Sequence, residues 1–176
     1  HLPPIPRVPS ASALVNRWLD DLAALGRDVP APPRFVAQAL HAGRALGSDR
    51  PTHLLHGDLH YGNVLAGLRE PWLVIAPLGL NGDPCYELAP MLWNRWGELA
   101  ASGDVGAALR ERFYALTDAA ELEERRCRDW VVVRSMIGVA REVADARAAG
   151  RPIAPARRDW ITRLVTTAKA MQAIAP

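Results

Sequence analysis

The chain has 176 residues, a formal net charge of +2, 49% hydrophobic residues and 23% charged residues. This length and composition are typical of one globular domain. The positive charge is slight and scattered, so we expect no nucleic-acid partner. No apolar run reaches the length of a membrane span and the first residues do not resemble a signal peptide, so we expect no membrane contact and a cytoplasmic location. Cys85 and Cys127 carry no metal or redox spacing and are expected to be free thiols.

The first nine residues contain four prolines. Proline has a restricted φ and no backbone N–H, so residues 1–9 are predicted to form an extended, proline-rich linker, with a loose chain end as an equal alternative. The chain does not begin with methionine, and we expect it to start inside a longer gene product.

Two amphipathic helices are predicted next. The first begins at Ser10 or Ser12, either of which suits an N-cap, and it ends at Gly26. The second begins near Pro33 and ends at Gly47. In both segments apolar residues recur at helical spacing, so one face of each helix is expected to pack in the core.

A polar loop at residues 56–63 lies between two short apolar runs, residues 54–55 and 64–65. Gly57 and Gly62 would allow the backbone to turn sharply there. The pattern predicts a strand, an exposed loop and a second strand. A polar loop held in this way by rigid elements is typical of a functional site.

The spacing of Asp58 and Asn63, five residues apart, is that of the kinase catalytic loop. In that loop the Asp accepts the proton of the attacking hydroxyl, and the Asn binds a metal ion on the nucleotide phosphates. Two alternatives stay open. His56, Asp58 and His60 alternate and could ligate a metal, although no second cluster elsewhere completes such a site. The loop could also be a plain polar turn in which His56 is structural.

Residues 64–65 and 72–75 predict a β-hairpin joined by residues 67–71. It is expected to be the only sheet of the chain. Pairing of its strands would bring Asn63 close to position 76, although the two are distant in sequence.

Asp83 and Pro84 suit the N-cap and the first position of the next helix. Beyond them, Glu87, Trp93 and Arg95 are candidates for contacting a polar substrate. The alternative is a packed Trp and two solvated charges, which is the more common role of such residues.

Three further helices are predicted toward the end of the chain. One is capped by Asp104, one spans residues 121–149, and the last begins near Pro155. Arg134 lies on the apolar face of the long helix, where an Arg usually pairs with a carboxylate. Asp83 is the expected partner.

The string HGDLHYGN at residues 56–63 resembles the signature of the aminoglycoside phosphotransferase family of kinase-like enzymes. The resemblance extends, within the streptomycin kinase and hydroxyurea phosphotransferase branch, to three further strings: REPWLVI at 69–75, GDPCYELAP at 82–90 and LWNR at 92–95. It is densest from Leu54 to Trp96 and weaker in the helices on either side.

This resemblance implies the helical C-terminal lobe of the protein-kinase-like fold, mainly α with one small β-hairpin, over residues 10–176. The catalytic loop would be residues 56–63 and the metal loop residues 75–84. A kinase also needs an N-terminal lobe with a glycine-rich hairpin and a phosphate-binding Lys. The single Lys of this chain, Lys169, is too close to the end. We therefore expect the C-terminal lobe alone, with one face covered by a missing N-terminal lobe or by a second copy of the chain.

The resemblance also implies roles for the loop residues. Asp58 and His56 would be the catalytic positions, with Asp58 deprotonating the acceptor hydroxyl and His56 holding the loop. Asn63 would hold Mg²⁺ on ATP. His60 and Asp83 would be structural residues that brace the loop.

The chain departs from the family pattern at Ala76, where the family has an Asp that is the second metal ligand. A methyl group cannot coordinate Mg²⁺, so binding of ATP and Mg²⁺ is expected to be weak. Two hypotheses follow. The chain is the acceptor-binding lobe of an ATP-dependent phosphotransferase for streptomycin, hydroxyurea or another hydroxyl acceptor, weak or inactive as it stands. Alternatively, it is a pseudokinase-like binding or scaffold domain without catalysis.

Overall fold

The computed structural model describes residues 2–174 and shows a mainly helical domain. Residues 1, 175 and 176, which belong to the predicted ranges 1–9 and 10–176, lie outside the described residues. The helices are α1 (Ala11–Leu25), α2 (Pro33–Leu46), α3 (Leu88–Trp93), α4 (Trp96–Ala101), α5 (Val105–Ala120), α6 (Glu124–Ala148) and α7 (Pro155–Gln172). The strands are β1 (His53–Leu55), β2 (Val64–Ala66), β3 (Trp72–Val74) and β4 (Leu80–Gly82).

Helix α6 forms the centre of the domain and packs against α1, α2, α3 and α7. Apolar residues occur on nearly all of its sides between Trp130 and Val143, which is the pattern of a buried helix rather than of a surface helix. None of the helices within residues 2–174 is long and apolar enough to cross a bilayer.

Side-chain caps set the ends of the later helices. The Asp104 carboxylate accepts a hydrogen bond from the Ala107 N–H at 2.9 Å, as its N-cap position predicts. Glu121, in contrast, ends α5 with a positive φ of 53° and does not begin the long helix. Helix α6 begins at Glu124, because the Glu123 carboxylate accepts hydrogen bonds from the N–H groups of Arg125 and Arg126.

Two two-stranded antiparallel sheets are present, so the prediction of a single hairpin is wrong. Strands β2 and β3 form the predicted hairpin, with Val64 opposite Val74. Strands β1 and β4 form the second sheet, with Leu55 opposite Leu80. The sequence pattern missed this pairing because β4 reads as a glycine-containing loop and its partner lies more than twenty residues away.

The proline-rich segment is held against the second sheet by Asn81. The Asn81 side chain accepts a hydrogen bond from the Ile5 N–H at 2.9 Å and donates to the Ile5 carbonyl at 2.7 Å and to the Val8 carbonyl at 3.2 Å. Its backbone N–H donates to the Pro9 carbonyl at 2.8 Å. Residues 2–9 are therefore hydrogen-bonded to the domain, although most of them are exposed. Their role as a linker stays a prediction.

Candidate functional site

The loop at residues 56–63 follows β1 and leads through a single 3₁₀ turn, Tyr61–Asn63, into β2. Gly57 has a φ of 90°, and a Cβ there would approach the side chains of Leu78 and Leu80 at 3.1–3.2 Å. Both the backbone angle and the close contact require glycine at this position.

His56 connects the start of the loop to the strand that follows it. Its Nδ1 accepts a hydrogen bond from the Asp58 N–H at 3.2 Å, so the proton of the neutral ring lies on Nε2. Nε2 then donates to the Ile75 carbonyl at 2.8 Å. With both ring nitrogens used in this way, His56 positions the loop and is not free to bind a metal.

The Glu87 side chain supports the backbone of the loop. Its two carboxylate oxygens accept hydrogen bonds from the N–H groups of Gly57 at 2.7 Å and Leu59 at 3.3 Å. A carboxylate that accepts backbone N–H groups forms strong, charge-assisted hydrogen bonds. Sequence reasoning missed this contact, because thirty residues separate Glu87 from Gly57. Its predicted contact with a substrate stays a prediction.

Asp58 presents its carboxylate at the surface of the loop, with 49% of the side chain exposed. His60 Nε2 lies 3.6 Å from the Asp58 Oδ2 atom, and its Nδ1 accepts a hydrogen bond from the Gly62 N–H at 3.1 Å. The Asn63 side-chain amide donates to the Asp58 carbonyl at 2.9 Å. Asp58 and Asn63 therefore lie together at one end of the loop, and the Asn63 Oδ1 accepts no hydrogen bond from the described residues.

The β2–β3 hairpin brings position 76 beside the loop, since the Ile75 N–H donates to the Asn63 carbonyl at 2.9 Å. Ala76 has a φ of 54°. Among residues other than glycine, Asn and Asp adopt this left-handed conformation most readily, so the backbone here suits an Asp better than an Ala.

The donor set does not fit Mg²⁺. Magnesium prefers carboxylate oxygens in an octahedral arrangement, whereas the two expected ligand positions offer one neutral amide, from Asn63, and a methyl group, from Ala76. Within residues 2–174 no group of three His, Cys, Asp or Glu side chains is placed to hold a metal ion.

Asp83 is the centre of a hydrogen-bonded cluster at the base of the site. Its Oδ1 accepts from the Cys85 N–H at 2.9 Å, which caps the 3₁₀ turn Pro84–Glu87 that carries Glu87. Its Oδ2 accepts from the Trp130 Nε1–H at 2.6 Å and from the Arg126 Nε–H. Asp83 thus holds the segment that in turn holds the loop.

The predicted pairing of Arg134 with Asp83 is wrong. Arg134 lies two turns farther along α6 than Arg126, and its Nη1–H donates to the Tyr86 carbonyl at 3.0 Å. Its guanidinium lies 4.0 Å from the centre of the Tyr86 ring. Burial raises the pKa of the Tyr86 phenol, while the Arg134 charge acts to lower it.

Cys85 and Cys127 are buried free thiols. The pKa of the Cys85 thiol is raised, first because the Cys127 side chain hydrogen-bonds to it and then because it is buried. A protonated, buried thiol is a poor nucleophile, so the Cys85 side chain is not a candidate nucleophile.

The other two predicted substrate residues, Trp93 and Arg95, lie at the end of α3 and just before α4. Trp93 packs edge-to-face against Trp160, with ring centres 5.6 Å apart. Arg95 forms an ion pair with Glu98 and lies 5.6 Å from the ring centre of Tyr61, a residue of the loop. Arg95 therefore contacts the loop, and its contact with a substrate stays a prediction.

Comparisons with known proteins agree with the kinase-like spacing of the loop. The chain is 39% identical to streptomycin 6-kinase of Streptomyces glaucescens over 144 residues, which are 82% of this chain and 46% of that protein. It is 41% identical to streptomycin 6-kinase of Streptomyces griseus over 99 residues, 56% of this chain and 32% of that protein. It is 44% identical to hydroxyurea phosphotransferase of Kitasatospora aureofaciens over 116 residues, 66% of this chain and 31% of that protein.

The matched regions thus cover less than half the length of these relatives. No solved structure matches the chain significantly. The profile of the family described as "Aminoglycoside/hydroxyurea antibiotic resistance kinase" matches residues 4–146, which include the whole loop and every candidate residue of the site. The chain therefore belongs to the aminoglycoside/hydroxyurea antibiotic resistance kinase family.

Proposed function

We propose that the chain is the helical C-terminal lobe of a kinase-like phosphotransferase that positions the hydroxyl group of a small acceptor, such as streptomycin or hydroxyurea, for phosphorylation by ATP. The observation that carries this proposal is the arrangement of the loop. The Asp58 carboxylate is exposed beside Asn63, while the backbone beneath both is held by Glu87 and His56. A polar group held rigidly at the surface of a packed lobe is what positioning catalysis requires.

Asp58 is the proposed general base. An acceptor hydroxyl within hydrogen-bond reach of its carboxylate would donate to it and give up its proton as the phosphoryl group arrives. His60, with Nε2 carrying the proton because Nδ1 accepts from the Gly62 N–H, faces the same carboxylate and would keep it oriented. His56, Glu87 and Asp83 act only through the loop and are positioning residues.

We assign no step to Mg²⁺, because Asn63 and Ala76 do not make a magnesium site. This disagreement supports the second hypothesis, a binding or scaffold domain that keeps the loop but has lost phosphoryl transfer. The retained Asp58 and Asn63 support the first hypothesis, and the methyl group of Ala76 supports the second.

The hairpin surface is the proposed contact for the upper lobe of the kinase. Several large apolar side chains are exposed on β2, β3 and the segments next to them: Leu65, Leu68, Trp72, Leu73, Val74, Ile75 and Leu78. An apolar patch of this kind on a protein surface marks an interaction site. A second copy of the chain is the alternative partner for the same surface.

A chimaera tests the proposal. The N-terminal half of Streptomyces glaucescens streptomycin 6-kinase is joined in front of residue 4 of this chain, and phosphate transfer from ATP to streptomycin and to hydroxyurea is measured. We expect weak or undetectable transfer with Ala76 and measurable transfer with Ala76→Asp. In the active chimaera, Asp58→Asn should lower kcat by about a hundredfold or more, because it removes the general base while the side chain keeps nearly the same volume.

The exposed Asp159, in the second turn of α7, provides the matched control. Asp159→Asn should leave kcat unchanged. Full activity after Asp58→Asn would refute the assignment of the base. A chimaera that is inactive with both residues at position 76, yet folded, would support the scaffold hypothesis.

A melting experiment on the chain itself separates the two hypotheses at the level of binding. Mg·ATP that binds the folded state raises the melting temperature by linkage. We expect no rise for the chain with Ala76 and a rise for Ala76→Asp. A rise with Ala76 itself would show that position 76 is not needed for the nucleotide.

A further inference from the structure

A second concave site lies on the face of α6 that spans residues 134–145, and none of its lining residues belongs to the loop at residues 56–63. This face forms the floor of a cleft of about 240 Å³, and Trp18 from α1, Trp93 from α3 and Trp160 from α7 form its walls. Four helices thus contribute to one site, which is a common way in which helical domains build small-molecule sites. The volume equals that of roughly eight water molecules, which suits a ligand of one or two rings.

Two arginines line the cleft without a carboxylate partner. Within residues 2–174, neither Arg134 nor Arg141 forms an ion pair with Asp or Glu. Arg134 donates one hydrogen bond, to the Tyr86 carbonyl, and Arg141 lies 5.3 Å from the ring centre of Trp18. A guanidinium has five N–H donors, so most of the donors of this pair are available to a ligand.

The lining also includes two carboxylates, and both are paired. Glu142 and Asp145 accept hydrogen bonds from Arg157, at 2.7 Å and 3.2 Å, and Arg157 does not line the cleft. These two carboxylates together carry one more negative charge than their single arginine partner neutralises. They would therefore disfavour a second negative charge on the ligand.

The walls favour a flat ligand. The Trp93 and Trp160 rings pack edge-to-face at 84°, and the Trp18 ring is contacted by Arg141. Aromatic walls of this kind bind planar apolar groups, while arginine binds carboxylates in a bidentate, coplanar arrangement.

We propose that this cleft binds a small aromatic monocarboxylate. Its carboxylate would be held by Arg134 and Arg141, and its ring would lie among the three tryptophans. Of the residues that line the cleft, only Trp93 is also a candidate for contacting the acceptor of the function proposed above. Binding at the cleft is tested without phosphate transfer, so failure of one proposal does not decide the other.

Calorimetric titration of the 176-residue chain tests this site with three probes. Benzoate has the ring and the charge, benzamide has the ring without the charge, and inorganic phosphate has charge without the ring. We expect saturable binding of benzoate, binding of benzamide weaker by about tenfold, and no measurable binding of phosphate. Benzamide binding as tight as benzoate, tighter binding of phosphate, or no saturable benzoate binding would overturn the proposal.

Variants on α6 assign the binding to the cleft. Arg141 is exposed, and Arg141→Gln should weaken benzoate about tenfold, whereas Arg141→Lys should keep part of the affinity. Arg147→Gln removes the same charge from the same helix, but Arg147 pairs with Asp28 and does not line the cleft. It should change the affinity less than twofold. Equal losses for Arg141→Gln and Arg147→Gln would show a general charge effect and refute the site.

Discussion

The loop at residues 56–63 and the hairpin at residues 64–74 are neighbours in sequence and in space, yet they are held in opposite ways. The loop backbone is held by the carboxylate of Glu87, thirty residues away, and the side chain of His56 connects the start of the loop to the Ile75 carbonyl. The hairpin is held by its own strand pairing, and its large apolar side chains are exposed, with 68% of Trp72 accessible. The fold thus places a rigid loop beside a hairpin whose large apolar side chains are exposed to solvent.

This difference separates the part of the domain that keeps its shape by internal hydrogen bonds from the part that exposes apolar side chains to solvent. A pre-organised loop needs no partner to keep its shape, because its hydrogen bonds are internal. An exposed apolar sheet face, in contrast, is less favourable in water than it would be in a contact. The following substitutions weaken one region or the other, in order of expected effect.

Asp83→Ala should have the largest effect among the changes around the loop, because it removes the acceptor of three hydrogen bonds. Trp130 loses its hydrogen-bond acceptor, and Arg126 keeps only its ion pair with Asp49. We expect the free energy of unfolding to fall by about 3 kcal/mol. Urea denaturation measures it. Asp118→Ala, an exposed residue of α5, should cost far less. Equal losses in the two variants would mean that the hydrogen bonds of Asp83 contribute no more to stability than an exposed side chain does.

Glu87→Gln tests the support of the loop directly. The amide retains one acceptor and turns an N–H group toward a backbone donor, so we expect a loss of about 2 kcal/mol. Hydrogen exchange should speed up at the N–H groups of Gly57 and Leu59 and stay unchanged in the hairpin. The control is Glu111→Gln on the exposed side of α5. Unchanged exchange at both amides would contradict the supporting role.

Tyr86→Phe should change the pH dependence of stability. Burial is the main cause of the raised pKa of Tyr86 in the folded state, whereas the unfolded phenol titrates near 10.0. Above that pH the unfolded state loses its proton first, so this residue makes stability fall as pH rises, by up to about 1.4 kcal/mol per pH unit.

Denaturation midpoints at pH 8.5 and pH 11 test the Tyr86 prediction. The decrease in the midpoint from pH 8.5 to pH 11 should be smaller in Tyr86→Phe than in the unmodified chain. Tyr114→Phe, at a residue with 38% exposure, is the control and should leave the decrease unchanged. An identical decrease in all three proteins would show that the Tyr86 phenol is not linked to folding.

Trp72→Gln should have the smallest effect on stability, less than about 0.5 kcal/mol, because the side chain is already in water. It should reduce any self-association that sedimentation detects at high concentration. Trp130→Gln is the contrasting change at a buried Trp and should cost about 3 kcal/mol or more. A large loss for Trp72→Gln would show that the hairpin face is part of the packed domain.

Local patterns predicted much of the fold. The helical spacing of apolar residues identified the amphipathic helices, and the Asp104 cap was correct to the residue. The hairpin and the closeness of Asn63 to position 76 also followed from the sequence, since strands joined by a short turn pair with each other. The start of the long helix was wrong by three residues, because Glu121 and Glu123 suit a cap equally well in the sequence.

Contacts between distant residues could not be predicted in the same way. The choice of Arg126 over Arg134 as the partner of Asp83 depends on which turn of α6 faces the 3₁₀ turn. The docking of residues 2–9 by Asn81 depends on the course of more than seventy residues between them. Neither leaves a periodic signal in the sequence.

The sequence by itself determined the spacing of the loop residues, the family and the helical character of this protein, because motif spacing and helix periodicity are local properties. Only the tertiary structure decided how that loop is held, through the carboxylates of Glu87 and Asp83 and the pairing of β1 with β4. The physical reason is that a partly buried carboxylate is stable only where folding brings donors to it, and those donors come from segments far apart in the chain.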